Sequence, residues 1–386
     1  MSNSDLTNAK KSKNDEFYTQ FHDIEKEINA YLEYNPDVFR GKTILLPCDD
    51  PEWSNFTKYF GLNFERFGLK KLISTSYATK SKKYETDYQP TLFEMDNPQY
   101  DEDKSKRNGK IFTLTHDVLT DEAVNVDDLE WHYLEGDGDF FSSEVQELQN
   151  EADIIITNPP FSLFREFLAS IIEAGKQFLI IGNINAITYK EVFPLIKDNR
   201  IWLGTGMGRW ISGFIVPKSY ELYGTEARLD AEGNRIIATN NCLWLTNIDH
   251  GKRHQPLPLM TMADNNKFNK RVQKNSNAFQ VYDNYGAIEV PYTTAIPSDY
   301  DGIMGVPISF LDKYSPEQFE IVGMCENADL YGLKTKIYNA EERKQAYFAK
   351  FERKGSYDLN ASGVVVRNGL LEKVYQRVLI KHKRDL

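Results

Sequence analysis

Three uninterrupted apolar runs restrict this chain to few folds. They are Ile44-Leu45-Leu46 in KTILLPCDD (42–50), Ile154-Ile155-Ile156 in ADIIITN (152–158) and Phe178-Leu179-Ile180-Ile181 in QFLIIGN (177–183). A strand with one face in water alternates apolar and polar residues, whereas a strand covered on both faces reads as a continuous run. Further strand candidates lie at 69–77, 110–115, 200–204 and 241–248. Helical patterns occur at 15–34, 51–68, 162–175 and 189–198, the third closing on Gly175 as a helix commonly does. Alternating strands and helices predict an α/β chain with a largely parallel sheet covered on both faces. In such a sheet, ligands gather beyond the carboxyl ends of the strands.

At 386 residues the chain has room for two domains. The alternation fades near residue 250, which places a boundary near 251–260. The net charge of −11 argues at first against a nucleic-acid partner, but its distribution is uneven. Residues 251–386 hold 20 Lys and Arg against 16 Asp and Glu, so the acidity belongs to the first 250 residues. An acidic body and a mildly basic docking region fit that pattern. Residues 1–14 read as a polar arm, 78–110 as a long polar loop, and LEGDGDFFSSE (134–144) as an acidic turn. No run approaches the 18 apolar residues of a membrane span, and no signal peptide opens the chain. Cys48, Cys242 and Cys325 form no disulfide or zinc pattern, and the six histidines have no metal-like spacing. A cytoplasmic protein without a metal is expected.

The run at 154–156 ends in Asn158-Pro159-Pro160-Phe161. Two prolines fix φ and remove two N–H donors, so the loop is stiff and its carbonyls are available as acceptors. The cluster offers an amide oxygen, a carbonyl oxygen and a flat ring. That set suits a planar base with an exocyclic amine: each acceptor takes one N–H and the ring stacks. A base in duplex DNA reaches such a pocket only when extruded. An Asn-Pro pair alone would more simply open a turn.

Asn158-Pro159-Pro160-Phe161 resembles the catalytic motif of S-adenosylmethionine-dependent amino-group methyltransferases. Together with KSKNDEFYTQFHDIEKE, CDDPEWSNFTKYF, FGLKKLIS, FLIIGNINAITYKEVFPLIKDN, IWLG and MGVPISFLDKYSPEQFEI, it is similar to the EcoRI-type adenine-specific (N6) DNA methyltransferase family. The similarity runs from about residue 11 to at least 323. The resemblance implies a Rossmann-like S-adenosylmethionine-dependent sheet at 1–255 and a C-terminal target-recognition region at 256–386. It implies that Asn158 and the Pro159 carbonyl accept from the adenine amine, that Phe161 stacks on the flipped ring, and that the amine attacks the methyl carbon directly.

The glycine-rich cofactor turn usual in this fold is missing here, a departure the EcoRI-type enzymes share; its place reads Pro47-Cys48-Asp49-Asp50-Pro51. The resemblance assigns Asp49 and Asp50 to the methionine or ribose part of S-adenosylmethionine, with capping of the next helix as the competing role. Tyr18 and Thr19 match the segment that meets the methionine end; the alternative makes Phe17 and Tyr18 core aromatics. Asp139 and Phe140 match the motif near the cofactor's adenine; the alternative is a solvated acidic turn. The basic stretches 267–274 and 373–386 either touch phosphates or form a solvated face, and Trp202, Trp210 and Trp244 read as core. Double-stranded DNA is the expected partner, the protein is expected to be a monomer, and GAATTC is the first site to test. Methylation of RNA, or a catalytically inactive DNA-binding regulator, are the rivals.

Overall fold

A computed structural model describes residues 18–52, 54–78, 98–116, 131–207, 211–216, 227–230, 233–237 and 241–383. The arm at 1–14, Phe17, Trp53, Trp210, most of the loop at 78–110 and the last three residues lie outside these. The chain divides into two units: one runs to Phe193 and resumes at Ile201–Gly251, and the other comprises Pro194–Arg200 and Lys252 onward.

In the first unit, β1 (Tyr18–Thr19) and α1 (Phe21–Tyr34) precede β2 (Thr43–Leu46), α2 (Asn55–Leu62), β3 (Lys71–Thr75), β4 (Lys110–Thr115) and β5 (Trp131–Tyr133). Then follow α3 (Ser143–Glu151), β6 (Ile154–Thr157), α4 (Phe164–Glu173), β7 (Gln177–Asn183), β8 (Trp202–Met207), β9 (Phe214–Val216), β10 (Ala227–Leu229), β11 (Arg235–Ile237) and β12 (Cys242–Thr246). Eight strands form one sheet in the order β5-β4-β3-β2-β6-β7-β12-β8. The four central strands β3, β2, β6 and β7 are parallel, while β4 and β12 are antiparallel to both of their neighbours. The sheet is therefore mixed rather than simply parallel. The sequence does not mark the reversal at β12 because that strand lies between two others and is buried along its length, so it too reads as a continuous apolar run.

Ile44, Leu46, Ile154, Ile156, Leu179 and Ile181 face one core, shared with Ile24, Phe56, Phe60 and Trp244. Leu45 and Ile73 face the other way, against Ala152 and Leu148. Alternate residues thus serve opposite faces, and burying each Ile or Leu contributes about 1.5–3 kcal/mol. The helix expected from residue 15 begins only at Phe21. Tyr18 and Thr19 instead pair with Ile215 and Phe214 in a small sheet ordered β1-β9-β11-β10. Helix α1 is bolted to β8 by Glu27, which is fully buried. Its carboxylate accepts from the Thr205 N–H at 2.7 Å, the Thr205 hydroxyl at 2.6 Å, the Gly206 N–H at 2.9 Å and the Tyr31 hydroxyl at 3.1 Å. The helix expected at 189–198 shrinks to Phe193–Lys197, behind a 3-10 turn at Ile184–Thr188.

The second unit holds β13 (Ala287–Glu289), β14 (Ile303–Pro307), β15 (Phe319–Met324), α5 (Ala340–Phe351), β16 (Val364–Arg367), β17 (Leu370–Lys373) and β18 (Arg377–His382). Its four-stranded sheet runs β13-β14-β18-β15, and β16 and β17 form a separate hairpin. Inside it Arg377 lies 2.6 Å from Glu289, both almost inaccessible to water, and the Tyr282 hydroxyl also donates to Glu289.

Breaking such a pair strands one charge in the core, at about 3–5 kcal/mol. Glu289→Ala should lower the urea midpoint of this unit by a corresponding amount. Replacing both residues together, Glu289→Leu with Arg377→Met, should recover most of the loss; equal loss in the double variant would show that the charges themselves are needed.

Candidate active site

From β2 the chain moves outward to β3, then returns to the other side of β2 for β6. The place where the winding direction reverses is the crevice an open α/β sheet offers to a ligand. Asp49 follows β2 and Thr157 ends β6, and the two meet there: the Thr157 hydroxyl donates to one Asp49 carboxylate oxygen at 2.6 Å. The Ser54 hydroxyl donates to the other at 2.7 Å and itself caps α2, accepting from the Phe56 N–H at 3.0 Å. The helix cap is therefore Ser54, with Asp49 bracing it from behind. Burial pushes the Asp49 carboxyl up to about 7, against the two hydroxyl donations and with the charge of Asp50 adding to the rise.

Next to the cap, the Asn55 side-chain amide donates to the Thr19 carbonyl at 2.8 Å. This ties β1 to the start of α2. The register of β1 with β9 sets Thr19 opposite Phe214, whose ring meets that of Phe161 edge-on at 6.4 Å. Tyr18 is half-buried, and Thr19 is buried with its hydroxyl lacking a partner among the described residues. The corner is fixed further by Ser212, whose N–H and hydroxyl both donate to Asp23, at 2.9 and 2.8 Å.

The acidic turn comes to the same end of the sheet. Gly138 has φ +79°, and a Cβ there would lie 2.1 Å from the Ser76 carbonyl, just past β3. Only glycine allows that approach. Asp139 then closes the turn, accepting from the Phe141 N–H at 2.8 Å, and Phe140 packs edge-on against Phe167 of α4 at 4.9 Å. Phe140 is buried, so the solvated-turn alternative does not describe it. On the near side, Lys110 pairs with Glu52, which draws the loop after Asp50 towards β4. Asp50 is half-buried and accepts from the Glu52 N–H at 2.9 Å.

Asn158 and Pro160 are half-buried and Pro159 is buried. The Pro160 carbonyl accepts from the Leu163 N–H at 3.0 Å and starts the 3-10 turn Phe161–Leu163, which leads into α4. Among the described residues, no N–H reaches the Pro159 carbonyl. All ten site residues expected from sequence therefore lie on segments linked to the strand ends at this crevice. Sequence reading missed the links: Thr157, Ser54, Asn55 and Phe214. Ser54 had a visible signal, a serine two residues before an aromatic helical run; Phe214 had none, because its role depends on a pairing across nearly two hundred residues. Among the described residues, no group of His, Cys, Asp and Glu is arranged to hold a metal ion.

The sequence matches the family model described as adenine-specific methyltransferase EcoRI over residues 5–383. The Type II methyltransferase M.EcoRI of Escherichia coli is 48% identical over 324 residues, spanning 84% of this chain and 90% of that protein. M.MpnI of Mycoplasma pneumoniae is 33% identical, over 86% of this chain and 89% of its own. M.MgeORF184P of Mycoplasma genitalium is 35% identical, over 86% and 90%. No solved structure matches the chain.

The Asp49 carboxyl titrates near 3.8 when free and at about 7 in the fold, so the folded chain holds this proton more tightly. Its contribution to stability is complete below the free value and is lost as pH rises through the folded one. Asp49→Asn removes the titration. Urea midpoints taken across this range should show the wild type losing stability relative to the variant as pH rises; parallel curves would show that the carboxyl does not titrate this way.

Proposed function

The chain belongs to the EcoRI-type adenine-specific methyltransferase family, and on that premise we propose how its residues carry out the reaction. As a member it is a site-specific, adenine-specific DNA methyltransferase of the Type II restriction–modification class. The proposal concerns the parts: a Rossmann-like sheet in residues 1–255 that holds S-adenosylmethionine, and a target-recognition region in residues 256–386 that engages duplex DNA.

The observation that carries the proposal is the corner at Asn158–Phe161. It is braced from behind through Thr157 and Asp49, and among the described residues no N–H donates to its Pro159 carbonyl. An adenine swung out of the duplex brings an amine with two hydrogens. The Asn158 side-chain oxygen and the Pro159 carbonyl accept one each, which fixes the amine's position and draws electron density back towards nitrogen. Extrusion costs a few kcal/mol, which stacking on Phe161 offsets. Two fixed acceptors stabilise the positive charge that develops on the amine, and they need not reorganise during the reaction.

The residues at the crevice fit a nucleoside-bearing donor. Among the described residues the buried Thr19 hydroxyl has no partner, and the turn at Gly138 brings Asp139 and Phe140 close to the end of β3. Tyr18, Thr19 and Asp50 would hold the methionine and ribose end, with Asp49 fixing their support, and Asp139 and Phe140 would hold the adenine end. Bound there, S-adenosylmethionine supplies an electrophilic methyl group on a sulfonium sulfur, and no covalent enzyme intermediate is needed.

Asn158→Ala should cut turnover by about a hundredfold or more, the scale of losing one such acceptor, while cofactor binding by calorimetry stays near normal. Near-normal turnover would refute the assignment. Phe161→Ala should weaken capture of the flipped base, read as a smaller 2-aminopurine fluorescence rise at the target position. Labelled methyl transfer to duplex DNA but not to RNA separates this reading from methylation of RNA.

A further inference from the structure

The positive charge of the second unit is concentrated at its end. Residues 252–333 hold 7 Lys and Arg against 10 Asp and Glu, whereas residues 334–383 hold 12 against 5. Within it, residues 339–374 carry 7 Lys and Arg against 5 Asp and Glu and fold into α5 and the hairpin β16–β17, while Arg377 and Lys381 belong to β18. Helix α5 and the hairpin share a small core of Tyr338, Ala346, Leu359 and Val364 with Tyr357 and Leu371 packed on it. The Lys350–Glu372 pair at 2.9 Å joins the two elements, so they form one body. Five exposed cations on this body, Lys344, Arg353, Lys354, Arg367 and Lys373, have no carboxylate within ion-pair distance among the described residues.

The hairpin is built to project. Arg367 pairs with Leu370 across a two-residue turn, and Asn368 and Gly369 have φ +50° and +76°. That is the tight turn whose twist matches the strands and which Asn-Gly favours. The strand bases Val364 and Val365 are buried, while Val366 through Leu370 are exposed. Among the described residues, the tip is therefore anchored at its buried base and exposed at its end. A two-stranded ribbon of this kind fits the major groove of B-form DNA, where Arg pairs with guanine and Asn with adenine through two hydrogen bonds each.

We infer that the β16–β17 hairpin is the base-reading element of this protein: Arg367 and Asn368 meet base edges in the major groove, while Lys344, Arg353 and Lys354 hold flanking phosphates. The inference rests on the DNA-methyltransferase reading and adds to it where the target sequence is read. Exposed cations without a carboxylate partner among the described residues, beside a tight ribbon tipped by Arg367 and Asn368, favour the phosphates and base edges of duplex DNA over a protein partner.

The test uses the full-length protein with chromosomal DNA from a strain without adenine methylation, and maps the methylated adenines by sequencing. The wild type should modify one motif; no methylation of DNA by the wild type would sink the methyltransferase reading itself. Arg367→Ala and Asn368→Gly, the second keeping the turn, should each relax the motif at one position or reduce its modification tenfold or more, with thermal midpoints unchanged. Lys344→Ala with Arg353→Ala and Lys354→Ala should weaken binding to a 30-base-pair random duplex, and should lower the salt slope of log K by about two to three. An unchanged motif and rate in both tip variants would overturn the inference while leaving the methyltransferase reading intact.

Discussion

A single buried carboxylate holds the proposed catalytic end of this molecule together. Asp49 takes a hydroxyl from Thr157 on one oxygen and from Ser54 on the other. One bond fixes the residue before the Asn-Pro-Pro-Phe corner; the other fixes the cap of α2, and so the Asn55 amide that holds Thr19. Desolvating a carboxylate is costly unless it is hydrogen-bonded, and its raised pKa is the trace of that cost. Through this brace, the position of the Asn158–Phe161 corner becomes a property of the sheet rather than of a loop.

The two units use different means to the same end. The first gains rigidity from strands buried on both faces and from Glu27, which satisfies donors of β8 while anchoring α1. The second centres on the Glu289–Arg377 pair, which links β13 to β18 across its sheet. In each, a buried polar group ties separate elements of the fold to one another. Methyl transfer needs that precision, because a misplaced amine loses the advantage of proximity.

Much of this was legible in the sequence. The continuous runs at 44–46, 154–156 and 178–181 gave the central strands because a strand with two dry faces has no reason to alternate. The place of Asn158 to Phe161 was legible because a buried apolar run followed by two prolines marks the exit from a strand, and the segment does follow β6. Strand direction was not: β4 and β12 run against their neighbours, and nothing in a buried strand's composition records that. Tyr18 and Thr19 were read into a helix because their pairing with β9 is remote in sequence. Asp49 was marked as a residue of the site, but its two hydroxyl partners lie 5 and 108 positions away, and only the fold brings them together. The basic end of the second unit's sequence was diluted in a regional total that averaged an acidic segment with a basic one.

The most direct test of the central claim is a crystal structure with a duplex bearing the methylated site and an inert analogue of the methyl donor. The account places the target adenine outside the helix, with its N6 about 3 Å from both the Asn158 side-chain oxygen and the Pro159 carbonyl. An adenine still stacked in the duplex, or an N6 held by other groups, would contradict it.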